Sequence, residues 1–219
     1  MIFTKSPTIF ESNKERNLYY KIFGGYLCNE FIEGYDERIK GLISILSNPT
    51  SPLNKKLPVV SVDLDPNDIH ISFDNHSIRF GQITTDHGEF ADILIQSPSR
   101  KNLVAIEAKL HSDWNYDDDI KKNINRHIEL KKLGLKVSFY LLIRKESFNN
   151  ALGNPNSRLR NLPKDALDTM FIFWEDILDM LMGTTYEKDK KVHTFLSSQI
   201  YREYHNYVSD DNGWLIESK

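Results

Sequence analysis

The stretch EFADILIQSPSRKNLVAIEAK, residues 89–109, decides the fold class of this chain. Its segments ADILI and LVAIEA are rich in the aliphatic and β-branched residues of strands, and SPSRKN between them has the composition of a turn. The stretch therefore predicts a β-hairpin. Asp92, Glu107 and Lys109 interrupt its apolar residues. Because a buried carboxylate is costly unless it is paired or binds a metal, these charges call for a chemical explanation.

The spacing of these charges predicts a site for phosphodiester hydrolysis. Glu107 and Lys109 are two residues apart and share one face of their strand, which Asp92 can reach from the neighbouring strand. Two carboxylates can hold Mg²⁺ or Mn²⁺, which polarises a phosphate and activates a bound water. The lysine ammonium can orient that water or stabilise charge on the phosphorus. The alternative is an exposed Glu–Lys pair on a surface hairpin, worth less than ~1 kcal/mol.

Helices and strands alternate on both sides of the hairpin. Apolar spacing and Gly, Pro and Asn positions predict helices over 14–34 and 35–46 with breaks near Gly24 and Gly34, strands at 59–64 and 69–73, a helix over 117–133 that ends at Gly134, strands at 136–144 and 170–174, and a helix over 175–183. This order predicts an α/β fold with a central β-sheet flanked by helices.

With these elements the chain resembles the PD-(D/E)xK nuclease superfamily. Asp92 matches the D element, with Ala91 where the Pro of the family name stands, and IEAK (106–109) matches the E-x-K element. NINRH (123–127) resembles the glutamine- and tyrosine-bearing helix motif of the family, with Asn and His in place of those two residues. The resemblance covers about residues 10–182, and the hairpin is its specific part.

The resemblance implies a restriction-endonuclease-like fold, with a mixed sheet, and a metal-dependent nuclease that acts on DNA, in defence against foreign DNA. Asp92, Glu107 and Lys109 are then catalytic, and Mg²⁺ or Mn²⁺ is held by Asp92, Glu107 and an acid of the first helix. We carry that acid over to Glu15, with Glu11 as the alternative. The competing function is a non-catalytic module of the same fold that binds nucleic acid or protein. Retention of all three charged residues favours the enzyme.

The distribution of charge predicts where nucleic acid binds. The net charge is −3, but residues 120–164 carry 11 Lys and Arg against 2 Asp and Glu. A basic block next to the catalytic strand would neutralise a polyanion, although a solvated helix face explains it as well. Residues 148–165 have the composition of a long loop. The predicted nucleic-acid contacts are Lys121, Lys122, Asn123, Arg126, His127, Arg158 and Arg160.

Composition favours a single domain of 219 residues in a reducing compartment. The single cysteine, Cys28, lies among apolar residues and is expected in the core. A single cysteine and the lack of an HExxH motif argue against a zinc site. No signal-peptide pattern is recognisable and the run VSFYLLI is too short to cross a membrane, so a cytoplasmic protein is expected. The segment 192–208 predicts a C-terminal helix, which either packs on the domain or forms a homodimer contact.

Overall fold

A mixed five-stranded sheet forms the centre of the described part of the chain. The computed structural model describes residues 18–51, 62–73, 91–110, 134–155 and 170–201, and the backbone of 207–209 and 215–217. The strands of the sheet are β1 (His70–Phe73), β2 (Ile93–Ser97), β3 (Asn102–Ala108), β4 (Lys136–Ile143) and β5 (Met170–Phe173), in that spatial order. The first three strands run antiparallel, and β4 and β5 continue the sheet parallel to β3. The predicted α/β class with a mixed sheet and flanking helices is confirmed.

The predicted hairpin is also confirmed. Ile93 pairs with Ile106, and Ser97 pairs with Asn102 at the turn. The turn is a single 3₁₀ segment, Pro98–Arg100, followed by Lys101 with a φ of 51°. Every residue of β2 is buried, as is every residue of β3 except Glu107. A charged side chain on β3 therefore lies in surroundings that penalise it unless it has partners.

The strands predicted at 136–144 and 170–174 are confirmed as β4 and β5. Leu141 pairs with Glu107 on one side and with Phe171 on the other. Continuous apolar runs such as KVSFYLLI and MFIF are typical of parallel strands that are buried on both faces. The alignment brings the carboxyl ends of β3, β4 and β5 to one edge of the sheet.

Helices cover both faces of this sheet. They are a π-helix at Tyr20–Leu27, α1 (Tyr35–Ser47), α2 (Lys145–Gly153), α3 (Trp174–Met182) and α4 (Glu187–Tyr201). The π-helix, α1, α3 and α4 contribute to the main core, which contains alternate strand residues such as Ile93, Ile106 and Leu142. The opposite strand residues, among them Leu94 and Ala105, form a second buried cluster. The helices predicted over 35–46 and 175–183 are thus confirmed. The helix predicted over 14–34 is confirmed only for 18–27, because residues 28–34 form turns and residues 14–17 lie outside the described part of the chain.

The loop predicted over residues 148–165 is wrong at its start. Residues 148–153 belong to α2. The ring of Phe148 packs against Phe171 and Phe173 of β5, with ring centroids 5.0 and 5.3 Å apart. Burial of this one aromatic residue fixes the helix on the sheet in spite of the Asn and Gly around it, which favour turns. Residues 156–165 lie outside the described part of the chain.

The strand predicted over 59–64 is wrong for residues 62–64, which run beside the hairpin without joining a strand ladder. Both edges of β2 are already paired, with β1 and with β3. The segment attaches through side chains instead: the Asp65 amide donates to the Ser97 hydroxyl at 3.0 Å, and Asp63 forms an ion pair with Lys136 at 3.4 Å. Residues 59–61 lie outside the described residues.

Two glycines of the helical region have different roles. Gly34 has a φ of 82° at the start of α1, which confirms the predicted break there. Gly24 does not break the helix but lies within the π-helix, where a Cβ atom would come within 2.7 Å of the Phe73 ring. Close packing of the π-helix on β1 therefore explains Gly24.

A buried ion pair joins α1 to α4 inside the helical layer. The side chains of Arg38 and Asp189 are fully buried, with Nη1 3.5 Å from Oδ1. The Tyr26 hydroxyl donates to the same Oδ1 atom, and the guanidinium lies 4.5 Å from the Tyr26 ring centroid. Burial and the Asp189 carboxylate raise the pKa of Tyr26 far above its usual value. Cys28 is buried as predicted, and burial raises the pKa of its thiol to about 12.

The C-terminal helix differs from the one predicted over 192–208. Helix α4 begins at Glu187 and ends at Tyr201, and residues 207–209 form a strand that pairs antiparallel with 215–217. Backbone pairing thus replaces helix at the end of the predicted segment. Residues 192–201 fit the packing alternative, since Val192, Leu196 and Ile200 lie in the main core. Within the described ranges we find no helix with the length and hydropathy needed to span a membrane.

Candidate functional site

The three charged residues of the hairpin meet at the carboxyl edge of β3. Asp92 directly precedes β2, Glu107 is the penultimate residue of β3, and Lys109 directly follows β3. Since Ile93 pairs with Ile106, continuing the register by one residue brings Asp92 opposite Glu107. The antiparallel geometry of the hairpin, which its apolar residues enforce, thereby brings Asp92 to charges that are 15 and 17 residues away in the sequence.

Two hydrogen bonds fix the Asp92 carboxylate. The backbone amide of Ala108 donates to Oδ2 at 2.8 Å, which anchors the carboxylate beside the strand that carries Glu107. The hydroxyl of Tyr19, from the first helical turn described, donates to Oδ1 at 3.3 Å. Tyr19 is itself buried and stacks on Phe73 of β1. Asp92 is therefore oriented from two directions before any ligand arrives.

Lys109 and Glu107 form an ion pair in a largely enclosed position. The Lys109 Nζ atom lies 3.2 Å from Glu107 Oε1, and the two side chains are 20% and 14% exposed. The backbone of Lys109 is held as well: its amide donates to the Leu142 carbonyl at 2.8 Å, and its carbonyl accepts from the Trp174 indole at 3.3 Å. The low exposure distinguishes this pair from a Glu–Lys pair on an open hairpin surface.

The donor set suits a hard divalent cation with an incomplete protein shell. Carboxylate oxygens are preferred ligands of Mg²⁺, which commonly takes one or two of them and fills the remaining positions with waters and substrate phosphate. Among the residues described, no group of three or more His, Cys, Asp or Glu side chains is placed to hold a metal. Asp92 and Glu107 are the two described acids at this edge that could hold an ion together with waters and substrate phosphate.

The other predicted site residues lie outside the described residues, and their roles stay predictions. This holds for the third carboxylate, Glu15, and for its alternative, Glu11. It also holds for every predicted nucleic-acid contact: Lys121, Lys122, Asn123, Arg126, His127, Arg158 and Arg160.

Sequence reasoning missed the residues that hold the site in place. Tyr19 and Trp174 bind Asp92 and Lys109 across 73 and 65 residues of sequence. Neither belongs to a motif, because a tyrosine in a helix and a tryptophan after a strand are ordinary core residues. The only sequence signal is that both carry a polar atom which must find a partner when the ring is buried. Spatial proximity to the charged residues appears only in the fold.

Comparisons of the chain with protein-family models, with curated proteins and with solved structures give no match.

Proposed function

We propose that the chain is a nuclease that depends on a divalent cation and hydrolyses phosphodiester bonds in DNA. The observation that carries the proposal is the hydrogen bond from the Ala108 amide to Asp92, which holds one carboxylate beside the strand bearing Glu107 and Lys109. Two acids and a lysine, mostly enclosed at one sheet edge, form a set suited to phosphoryl chemistry. The basic composition of residues 120–164 supports a polyanionic substrate.

Each of the three residues has a distinct task in this proposal. Asp92 and Glu107 would hold Mg²⁺ or Mn²⁺. The bound ion would polarise the phosphate and lower the pKa of a bound water. The Lys109 ammonium leaves Glu107 Oε1 far enough to donate to the attacking water or to a nonbridging phosphate oxygen as negative charge develops. Tyr19 and the Ala108 amide keep Asp92 from turning away, so that little reorganisation is needed at the moment of reaction.

The order of elements supports a restriction-endonuclease-like arrangement. A helix precedes the hairpin that carries the D and E-x-K elements, which is the order that the resemblance implies. Strand β4 then lies parallel to β3. The sequence between these two strands contains the NINRH motif, which the resemblance assigns to a helix.

A non-catalytic binding module is the second candidate, and the partners of the charged residues favour it. Glu107 is paired with Lys109, and both Asp92 oxygens accept hydrogen bonds within the protein. Such a network can stabilise the sheet edge without any reaction, since satisfied polar groups in an enclosed place are compatible with stability. Catalysis separates the two candidates.

A cleavage assay tests the proposed function directly. Linear duplex, supercoiled circular duplex and single-stranded DNA are incubated with the protein in Mg²⁺, in Mn²⁺ and in EDTA. We expect cleavage in the first two conditions and none in EDTA or with Asp92→Asn. The combination of DNA binding with intact DNA in both cations would instead identify the binding module.

Divalent cations are expected to raise the thermal stability of the protein. Asp92 and Glu107 repel each other as carboxylates, and an ion bound only by the folded state stabilises it by mass action. At a concentration ten times Kd the gain is about 1.4 kcal/mol, which corresponds to a Tm increase of roughly 3–6 °C at this chain length.

Calorimetry with Mg²⁺, Mn²⁺ and Ca²⁺ measures this increase. Asp92→Asn should reduce it, whereas Asp63→Asn, which removes an exposed acid at the other end of β3, should leave it unchanged. A Tm independent of all three ions up to millimolar concentration contradicts a metal site.

A further inference from the structure

Arg144 lies at the same sheet edge as the proposed catalytic residues. It directly follows β4, two residues after Leu142, whose carbonyl accepts the Lys109 amide at 2.8 Å. Continuing the β3–β4 register, in which Ala108 pairs with Leu142, brings Arg144 opposite Leu110. Because neighbouring strands are about 4.8 Å apart, the backbones of Lys109 and Arg144 are close neighbours at this edge.

The guanidinium of Arg144 is largely buried but makes few hydrogen bonds. Its side chain is 18% exposed, and in the described part of the chain its Nε atom is buried with no hydrogen-bond partner. An Nη2 contact with Glu146 supplies its ion pair, and the Glu146 side chain is 63% exposed. A guanidinium has five donors, four of them on Nη1 and Nη2, and the Nη donors not used by Glu146 are available to another acceptor. Pairs with an exposed partner are weak and readily exchanged.

The neighbouring cation, Lys145, differs in this respect. Its Nζ atom lies 2.7 Å from Asp176 Oδ1, and its backbone amide donates to Glu175 at 2.9 Å. The hydrogen bond with Asp176 raises the pKa of the Lys145 ammonium, because it favours the charged form. Of these two adjacent cations, Arg144 is the one held ready for an external anion.

We propose that Arg144 binds a phosphate of the nucleic-acid backbone next to the phosphate that is cleaved, displacing the Glu146 carboxylate. The planar fork of a guanidinium matches two oxygens of one phosphate. Side chains alternate between the two faces of a sheet, so Arg144 is on the same face as Leu142, and Lys109 is on the same face as Glu107. Because these faces are opposite, the two cations contact different phosphates. This inference rests on the proposed function.

Binding and cleavage of one substrate test the inference. The probe is a fluorescein-labelled 20-base-pair DNA duplex, with anisotropy measured in Ca²⁺ and cleavage measured in Mg²⁺. Arg144→Gln should weaken binding about ten- to a hundredfold, as expected for a charged hydrogen-bonded contact, and lower the salt slope by about 0.9. Arg144→Lys should recover only part of the affinity because it lacks the fork.

Two further variants separate this role from a structural one. Glu146→Gln removes the ion-pair partner of Arg144 and should tighten binding of the DNA duplex up to about fivefold. This variant also tests the role of Arg144 if Arg144→Gln fails to fold. Arg100→Gln is the matched control, because Arg100 is 53% exposed and lies at the opposite end of β3, and binding should not change.

Each result of this experiment has a defined meaning. Unchanged binding in Arg144→Gln and Glu146→Gln, with a wild-type protein that cleaves, overturns the inference and leaves the nuclease proposal standing. Binding that depends on Arg144 without wild-type cleavage supports the phosphate contact and contradicts the nuclease. A wild-type protein that neither binds nor cleaves the duplex overturns both.

Discussion

Lys109→Ala should lower the rate of DNA cleavage by at least about a hundred- to a thousandfold while the protein stays folded. Removing one donor that stabilises developing transition-state charge costs about this much, and Lys109 is the described cation that pairs with Glu107, at 3.2 Å. Single-turnover cleavage measures the loss. Because the lysine does not hold the cation, the thermal shift with Mg²⁺ should persist in this variant.

Lys136→Ala provides the matched control for Lys109. Lys136 lies on the same pair of strands, at their opposite end, is 67% exposed and pairs with Asp63. Its loss should change cleavage less than about twofold, since exposed ion pairs contribute little. Near wild-type turnover by Lys109→Ala would remove the lysine from the reaction and favour the binding module.

Breaking the buried pair of Arg38 and Asp189 should cause the largest loss of stability. Removal of Asp189 leaves the Arg38 charge buried without a counter-charge, with only the backbone carbonyls of Ile32 and Glu33 as described acceptors, and such a loss costs about 3–5 kcal/mol. For Asp189→Leu the free energy of unfolding in urea should fall by that amount, and Tm should fall by roughly 10 °C or more. The Tyr26 hydroxyl loses its acceptor in the same variant, which adds to the cost.

The double variant Arg38→Met/Asp189→Leu distinguishes charge burial from loss of packing. With both charges replaced by apolar groups of similar size, much of the stability should return, because the desolvation penalty of each ion also disappears. Equal stability of the wild type and Asp189→Leu would contradict the buried position of the pair. Glu187→Gln, whose side chain is 83% exposed in its pair with Lys191, is the control and should be nearly neutral.

The parts of the fold predicted from the sequence are those in which the residue types favour a single environment, such as a buried strand or an exposed turn. The apolar runs of β2 to β5 had to be buried strands, and SPSRKN had to be a turn. The charges of Asp92, Glu107 and Lys109 stood out because their strands were otherwise apolar. The candidate site could therefore be proposed before its geometry was known.

The missed features depend on partners that are remote in sequence. Arg38 lies in YDERIKG, a segment that looks like a solvated helical turn, and nothing local indicates that Asp189 meets it 151 residues later. Phe148 is surrounded by residues that favour turns, and its helix forms because β5 offers an aromatic surface. The sequence suggested a helix break at Gly24 because it does not show that the Phe73 ring packs closely against this glycine.

The contacts around the hairpin also set an order of assembly. The Asp92–Ala108 bond closes only 16 residues, whereas the bonds that fix Lys109 to Trp174 and Asp92 to Tyr19 close 65 and 73. Short loops close at lower entropic cost and faster than long ones. We therefore expect the two carboxylates to come together in a local unit early in folding, with the Lys109 ammonium already paired to Glu107. The Lys109 backbone is held later, when β4 and Trp174 have docked. A partly folded chain would gather all three charges before the helical layer encloses them.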